Sequence, residues 1–148
     1  GWAKPVPVNF SNLRNPRRDM ALVAIAGPLS NFAMAVGWGL LLKLATAMGA
    51  EQGLWLGVGY MAVAGMVINL VLLVLNLLPL PPLDGGRVVS GLLPLSLARH
   101  YDRLEPFGLF IIVGLLATGW LSKIMQWPLM LAEHGLSMLL DLNLSLFY

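Results

Sequence analysis

Long runs without ionisable side chains dominate the order of polar and apolar positions along this chain. Residues 20–42 carry no charge, and a helix of that length covers the roughly 30 Å hydrocarbon core of a membrane. A second uncharged run covers residues 54–83, but three prolines near its end remove backbone donors and forbid regular helix there. We therefore predict two transmembrane helices, over residues 20–42 and 54–78.

The second half of the chain is apolar but less regular. Residues 106–122 form a shorter uncharged run, near the lower length limit for a membrane span, and predict a third transmembrane helix. Residues 127–148 stay apolar but are interrupted by charged positions such as Glu133 and Asp141. This pattern predicts an amphipathic C-terminal helix on the membrane surface or against the bundle. The expected fold is an all-α membrane protein, a single membrane domain with a bundle of about three transmembrane helices.

The remaining segments carry most of the basic residues. Residues 1–19 contain alternating prolines that predict an extended segment, and residues 79–105 predict a motif loop with a short helix. The turn over residues 50–53 holds no Lys or Arg, whereas the other two segments hold seven, namely Lys4, Arg14, Arg17, Arg18, Arg87, Arg99 and Arg103. Basic loops stay in the cytoplasm. We therefore expect a multi-pass protein of the cell membrane, in bacteria the cytoplasmic membrane, with both basic segments cytoplasmic.

Composition narrows the function classes. Of the 148 residues, 58% are hydrophobic and only 11% are charged, against about 25% charged residues in a typical soluble domain. This composition excludes a water-soluble globular protein. The net charge of +2 is small and scattered, so no nucleic-acid partner is expected. The absence of cysteine excludes disulfide frameworks, thiolate zinc sites and thiol nucleophiles.

The most informative stretch lies at the proline-rich end of the second span. Asp84 follows the apolar run, and a carboxylate at membrane depth costs a few kcal/mol unless it faces protein, a cavity or a cation. Broken helix in a membrane is tolerated only where protein buries it or a watery cavity adjoins it. Gly85 and Gly86 allow close backbone approach around the carboxylate. Two interpretations remain from this spacing: a metal ligand or proton relay, and a helix cap that accepts amide hydrogens near Arg87.

Several motifs together resemble one enzyme family. The run Leu-Pro-Leu-Pro-Pro-Leu-Asp-Gly-Gly-Arg at residues 78–87 resembles the Leu-Asp-Gly motif of site-2 proteases, the zinc intramembrane metalloproteases. Three further segments are similar to segments that follow one another in small bacterial members without a PDZ domain. These are Gly-Trp-Ala-Lys-Pro-Val-Pro-Val at 1–8, Asn-Pro-Arg-Arg-Asp-Met at 15–20 and Ala-Gly-Pro-Leu-Ser-Asn at 26–31. The joint resemblance covers most of residues 1–105.

The resemblance implies roles for two residues of the motif. Asp84 maps onto the aspartate that is the third zinc ligand of the family. Asn76, eight positions earlier, maps onto an asparagine close to the metal that helps to hold the substrate carbonyl, an oxyanion contact. The implied activity is zinc-dependent hydrolysis of peptide bonds in transmembrane segments, with Zn²⁺ as cofactor. The implied partners are membrane lipid and a transmembrane protein substrate, and the oligomeric state, a homo-oligomer included, stays open.

This sequence departs from the family in one essential motif. Family members carry His-Glu-x-x-His on an earlier helix, where the two histidines bind zinc and the glutamate is the general base. The only histidines here, His100 and His134, lie outside any such pattern. Because a catalytic zinc usually needs three protein ligands, we expect the chain to be the C-terminal portion of a protease core and inactive by itself. The alternative is a non-catalytic helical membrane scaffold or a degenerate paralogue.

Overall fold

A computed structural model describes residues 16–50 and 52–142, with backbone alone for residues 16–18. Within this part of the chain there are six helices and no strand, which confirms the all-α prediction. The helices are α1 (Pro16–Ala47), α2 (Gly53–Leu77), α3 (Asp84–Leu92), α4 (Leu95–Asp102), α5 (Glu105–Ala117) and α6 (Trp120–Leu140).

Helices α1 and α2 form an antiparallel hairpin. Asp19–Ala47 and Gly53–Leu77 are each long and apolar enough to cross a membrane, so the structure has a candidate span at each of the first two predicted positions. Small residues let the two helices approach closely: the indole of Trp38 lies where a Cβ on Gly65 would stand. The centre of the hairpin is a cluster of buried side chains to which α6 also contributes, made of Ala35, Met66, Leu70 and Leu136.

The proline-rich segment ends α2 as the sequence predicts. Leu77 is the last helical residue, Leu78 is the C-cap, and turns continue the chain to α3. Two backbone hydrogen bonds hold these turns, from Leu80 N to Leu78 O at 2.8 Å and from Leu83 N to Leu80 O at 2.9 Å. The chain then re-enters helix at Asp84. The motif thus lies in a short non-helical link between a membrane-length helix and a nine-residue one.

The predicted third span over residues 106–122 is divided between two helices. Helix α5 has 13 residues, about 20 Å of helix, which is shorter than the hydrocarbon core. It ends because Gly119 takes a left-handed conformation with φ of 75°, a helix stop that glycine adopts without strain. The chain turns by 87° there, and α5 and α6 meet the length and composition of a membrane span only when taken together as a bent pair. The described residues therefore contain two candidate spans, or three if the bent pair is one.

Helix α6 begins earlier than predicted and lies against the bundle. It starts at Trp120 rather than at residue 127 and ends at Leu140, while residues 143–148 lie outside the described part. Leu121 and Met125 pack on Val74 near the end of α2. At the opposite end, the Lys43 ammonium donates a hydrogen bond of 2.8 Å to the Leu140 carbonyl. Because Lys43 is near the end of α1, helix α6 runs alongside the hairpin in the direction of α1.

The structure also differs from the predictions for the two connecting segments, residues 1–19 and 79–105. Residues 79–105 contain two short helices, α3 and α4, rather than one. Residues 16–19 belong to α1 and are not extended, since proline is compatible with the first turn of a helix. Residues 1–15, the rest of the predicted extended segment, lie outside the described residues.

Candidate active site around Asp84

The Asp84 carboxylate lies against the backbone of α1 at Gly27. A Cβ built on Gly27 would meet Oδ2 of Asp84 and would stand 3.3 Å from its Cγ and 4.0 Å from its Oδ1. Gly27 follows Asp19, the start of the first candidate span, by eight residues, which is about 12 Å of helix. The carboxylate is half-buried, and it contacts α1 eight residues after the start of the first candidate span.

The structure does not support the interpretation of Asp84 as a helix cap. Leu83 occupies the N-cap position of α3, Asp84 is the first helical residue, and the Asp84 side chain makes no hydrogen bond within the described residues. Arg87 N donates to the Leu83 carbonyl at 3.2 Å, the first hydrogen bond of the helix. The carboxylate still stands at the positive end of α3, which favours a negative charge. Its oxygens are thus electrostatically supported without being used to cap the helix.

Two glycines bring the start of α3 into backbone contact with the end of α2. A Cβ on Gly85 would collide with the carbonyl oxygens of Leu77 and Leu78, the second at 2.5 Å. A Cβ on Gly86 would lie 2.6 Å from the backbone nitrogen of Pro81. These separations are too short for any side chain, so only glycine permits this packing. The close approach predicted for the pair is confirmed, and it fixes the backbone on which Asp84 is carried.

A third glycine, which the sequence analysis missed, covers the proline-rich link from α5. A Cβ on Gly108 would overlap the Pro81 carbonyl oxygen and stand 2.5 Å from Cδ of Pro82. Gly108 is also buried in α5. The non-helical link therefore has protein on several sides, as a broken helix at membrane depth requires. No local pattern around residue 108 announces this contact, because its partner is remote in sequence.

Asparagines lie on two of the helices that form the site. Asn76 is half-buried in the last turn of α2, and its side chain makes no hydrogen bond within the described residues. Asn31 lies one helical turn after Gly27 on α1 and is only 9% exposed. Between Gly27 and Asn31 in sequence lies Ser30, whose hydroxyl donates a hydrogen bond of 2.7 Å to the Gly27 carbonyl. Along the chain, Asn76 lies just before the proline-rich link and Asp84 just after it.

The metal-ligating residues of the described part do not complete a zinc site. No group of three or more His, Cys, Asp or Glu side chains lies together across residues 16–50 and 52–142. His100 is exposed on α4, where its Nδ1 is 2.8 Å from the Ser96 carbonyl oxygen, and His134 is exposed on α6. A carboxylate oxygen is an ordinary zinc ligand, so the donor chemistry of Asp84 fits one position of such a site and no more.

Comparison with known proteins matches this chain to one peptidase family. The profile of Peptidase family M50 matches residues 42–118. The chain is 37% identical over 132 residues to the putative zinc metalloprotease YwhC of Bacillus subtilis, covering 88% of this chain and 60% of that protein. It is 35% identical over 113 residues to the putative zinc metalloprotease Rip2 of Mycobacterium tuberculosis strain H37Rv, covering 72% of this chain and 40% of that protein.

A further relative comes from Methanocaldococcus jannaschii. The putative zinc metalloprotease MJ0611 of Methanocaldococcus jannaschii is 31% identical over 105 residues, covering 71% of this chain and 44% of that protein. The chain thus spans at most about three fifths of the length of these curated relatives. No solved structure matches it.

Proposed function

Because this chain belongs to peptidase family M50, of the site-2 protease type, we propose that it is part of a zinc-dependent intramembrane protease with Asp84 as one zinc ligand. The reaction is hydrolysis of peptide bonds in transmembrane segments. The other ligands and the general base come from residues outside this sequence, since its described part offers a single motif carboxylate. The chain by itself is accordingly inactive, and the protein is located in the cytoplasmic membrane.

One observation carries this proposal: the Asp84 carboxylate is half-buried against Gly27 of the first candidate span and has no hydrogen-bond partner within the described residues. A half-buried carboxylate among apolar helices of membrane length needs compensation, and the start of a nine-residue helix supplies only part of it. A bound cation supplies the rest. The zinc named in the descriptions of the relatives is the cation that fits this family.

The proline-rich link provides the second part of the site. Pro79, Pro81 and Pro82 have no N–H, so they leave three carbonyls at the end of α2 without their usual helical donors, namely those of Leu75, Leu77 and Leu78. Short turns satisfy two of these carbonyls, from Leu78 N to Leu75 O at 3.1 Å and from Leu80 N to Leu78 O at 2.8 Å. A substrate helix must unwind before its own carbonyls can be attacked. A polar, non-helical link is a suitable surface for that unwound segment.

Two side chains of this chain have assigned roles in the proposal. Asp84 holds the metal through a carboxylate oxygen, and Asn76 donates from its amide to the substrate carbonyl oxygen, where negative charge develops. When bound, zinc polarises that carbonyl and lowers the pKa of a coordinated water. Asn76 is half-buried with no hydrogen bond of its own in the described residues, so its amide is available to a substrate.

The test compares two carboxylates in the protein encoded by the complete reading frame that contains this chain. Asp84→Ala should lower cleavage of a membrane-embedded reporter at least 100-fold, because it removes a metal ligand. Asp102→Ala should leave cleavage near the parental rate, because Asp102 is exposed at the end of α4. Asp84→Asn keeps the side-chain volume and separates lost ligation from lost packing.

Cleavage is to be measured at matched protein level, together with bound zinc per protein. The expected result is loss of both cleavage and zinc in the two Asp84 variants alone. An Asp84→Asn protein that keeps parental cleavage would overturn the proposal. A complete reading frame that supplies no further zinc ligands would favour the non-catalytic scaffold instead.

A further inference from the structure

Residue 27 on α1 has no side chain at the point where the Asp84 carboxylate approaches the helix. A methyl group there would meet Oδ2 of Asp84 and approach its Cγ to 3.3 Å, which is tighter than ordinary van der Waals contact. The Gly27 carbonyl also accepts the Ser30 hydroxyl at 2.7 Å. The carboxylate therefore rests on a stretch of bare backbone in α1.

Two features favour glycine at position 27: the Asp84 carboxylate, and Pro28, whose ring disfavours a Cβ on the preceding helical residue. Gly37 lies on the same helix, and a Cβ built there meets nothing within 4 Å. Alanine has a better helix propensity than glycine at an interior position, so α1 alone would favour alanine at position 37, whereas Pro28 opposes it at position 27. Asp84 and Pro28 both distinguish Gly27 from Gly37, and of the two only Asp84 bears on the metal.

The backbone that carries Asp84 has no room to retreat from α1. Gly85 already touches the carbonyls of Leu77 and Leu78, and Gly86 touches the proline-rich link. A side chain at position 27 must therefore be accommodated by rotation of the Asp84 carboxylate rather than by movement of α3. That rotation costs the fold little, because the carboxylate is the end of a side chain, but it redirects the ligand oxygen.

We propose that Gly27 is the positioning residue for Asp84: the bare backbone at this position fixes the direction of the carboxylate toward the metal. This inference rests on the proposed function, in which Asp84 is a zinc ligand. Residues that orient a metal ligand typically change metal affinity or activity about 10- to 100-fold when they are altered. Gly27→Ala should therefore weaken zinc binding by about that factor while the protein stays folded.

The first experiment tests the contact itself and needs no activity. The chain contains no cysteine, so Gly27→Cys and Asp84→Cys can be introduced together without interfering thiols. Cγ of Asp84 lies 3.3 Å from a Cβ at position 27, which suits a disulfide between the two new thiols. In membranes, mild oxidation should protect both thiols from a maleimide reagent. The matched pair of Gly37→Cys and Asp84→Cys should stay reactive, and equal reactivity of the two pairs would overturn the inference.

The second experiment measures zinc retention, cleavage and thermal unfolding of the complete protein with Gly27→Ala, Gly37→Ala or Asp84→Ala. We expect Gly27→Ala to lose zinc to a chelator at least tenfold more readily than Gly37→Ala and to cleave correspondingly slowly. Unfolding is compared in the metal-free proteins, because weaker zinc binding by itself lowers the unfolding midpoint. A merely structural role would lower the midpoint of the metal-free protein and leave zinc retention unchanged. If Asp84→Ala abolishes zinc binding while Gly27→Ala matches Gly37→Ala, the inference fails and the proposed function stands. If Asp84→Ala keeps zinc and cleavage, the proposed function itself fails.

Discussion

Gly108 offers a direct test of how α5 packs on the proline-rich link. A Cβ at this position would overlap the Pro81 carbonyl oxygen, which is backbone and cannot rotate away, whereas a Cβ on Gly114 of the same helix meets nothing within 4 Å. Overpacking in a core costs about 1–3 kcal/mol, and contact with backbone places Gly108→Ala at the upper end. Alanine regains about 1 kcal/mol of helix propensity. The expected net effect is a loss of about 2 kcal/mol.

The matched change Gly114→Ala isolates the steric cost. It carries the same propensity gain without a clash, so it should stabilise the protein by up to about 1 kcal/mol, leaving about 3 kcal/mol between the two variants. Unfolding of purified protein in detergent micelles by increasing dodecyl sulfate, followed by far-UV circular dichroism, measures the difference. Equal unfolding free energies for Gly108→Ala and Gly114→Ala would refute the packing of α5 on Pro81.

Three further predictions follow from described contacts and from the charge pattern. Lys43→Met should cost about 1 kcal/mol in the same unfolding measurement, because it removes an exposed charged donor to Leu140 O, while Lys43→Arg should keep most of the stability. Burial first, and then the Asp102 carboxylate, raise the pKa of the Tyr101 phenol, so its contribution to stability is full below about pH 10 and is lost as pH rises through the raised value. Tyr101→Phe should abolish that alkaline loss and add about 1 kcal/mol at neutral pH, because the buried hydroxyl has no partner in the described part of the chain. A reporter fused after Arg99 should stay in the cytoplasm and one fused after Ala50 should be exported, and the reverse pattern would contradict the orientation.

The sequence predicted the parts of this fold that depend on local signals. The two membrane-length helices follow from uncharged runs, and the end of α2 at Leu77 follows from prolines that cannot donate. The break after α5 had a local signal too. Gly119 is a typical helix stop, but the uncharged run outweighed it and one span over residues 106–122 was predicted.

The arrangement around Asp84 could not be predicted from local signals, because it brings together segments that are remote in sequence. Gly27 and Asp84 are 57 positions apart, and nothing in the residues near either one shows that they touch. Gly108 and Pro81 are a second such pair. A glycine within a helix has the same local appearance whether a Cβ there would meet backbone, as at Gly108, or open space, as at Gly114. Only the fold separates the two cases.

These glycine contacts also explain why a broken helix can stand at membrane depth here. The link between α2 and α3 leaves backbone groups that lipid cannot satisfy, so it must be covered by protein. Side chains would hold the covering helices several ångströms away, whereas Gly85, Gly86 and Gly108 bring backbone against backbone. Gly27 completes this set on the side of α1, where it meets a carboxylate instead of a carbonyl. The same close packing that buries the broken helix therefore holds the Asp84 carboxylate against α1, the position from which the proposed function has it bind the metal.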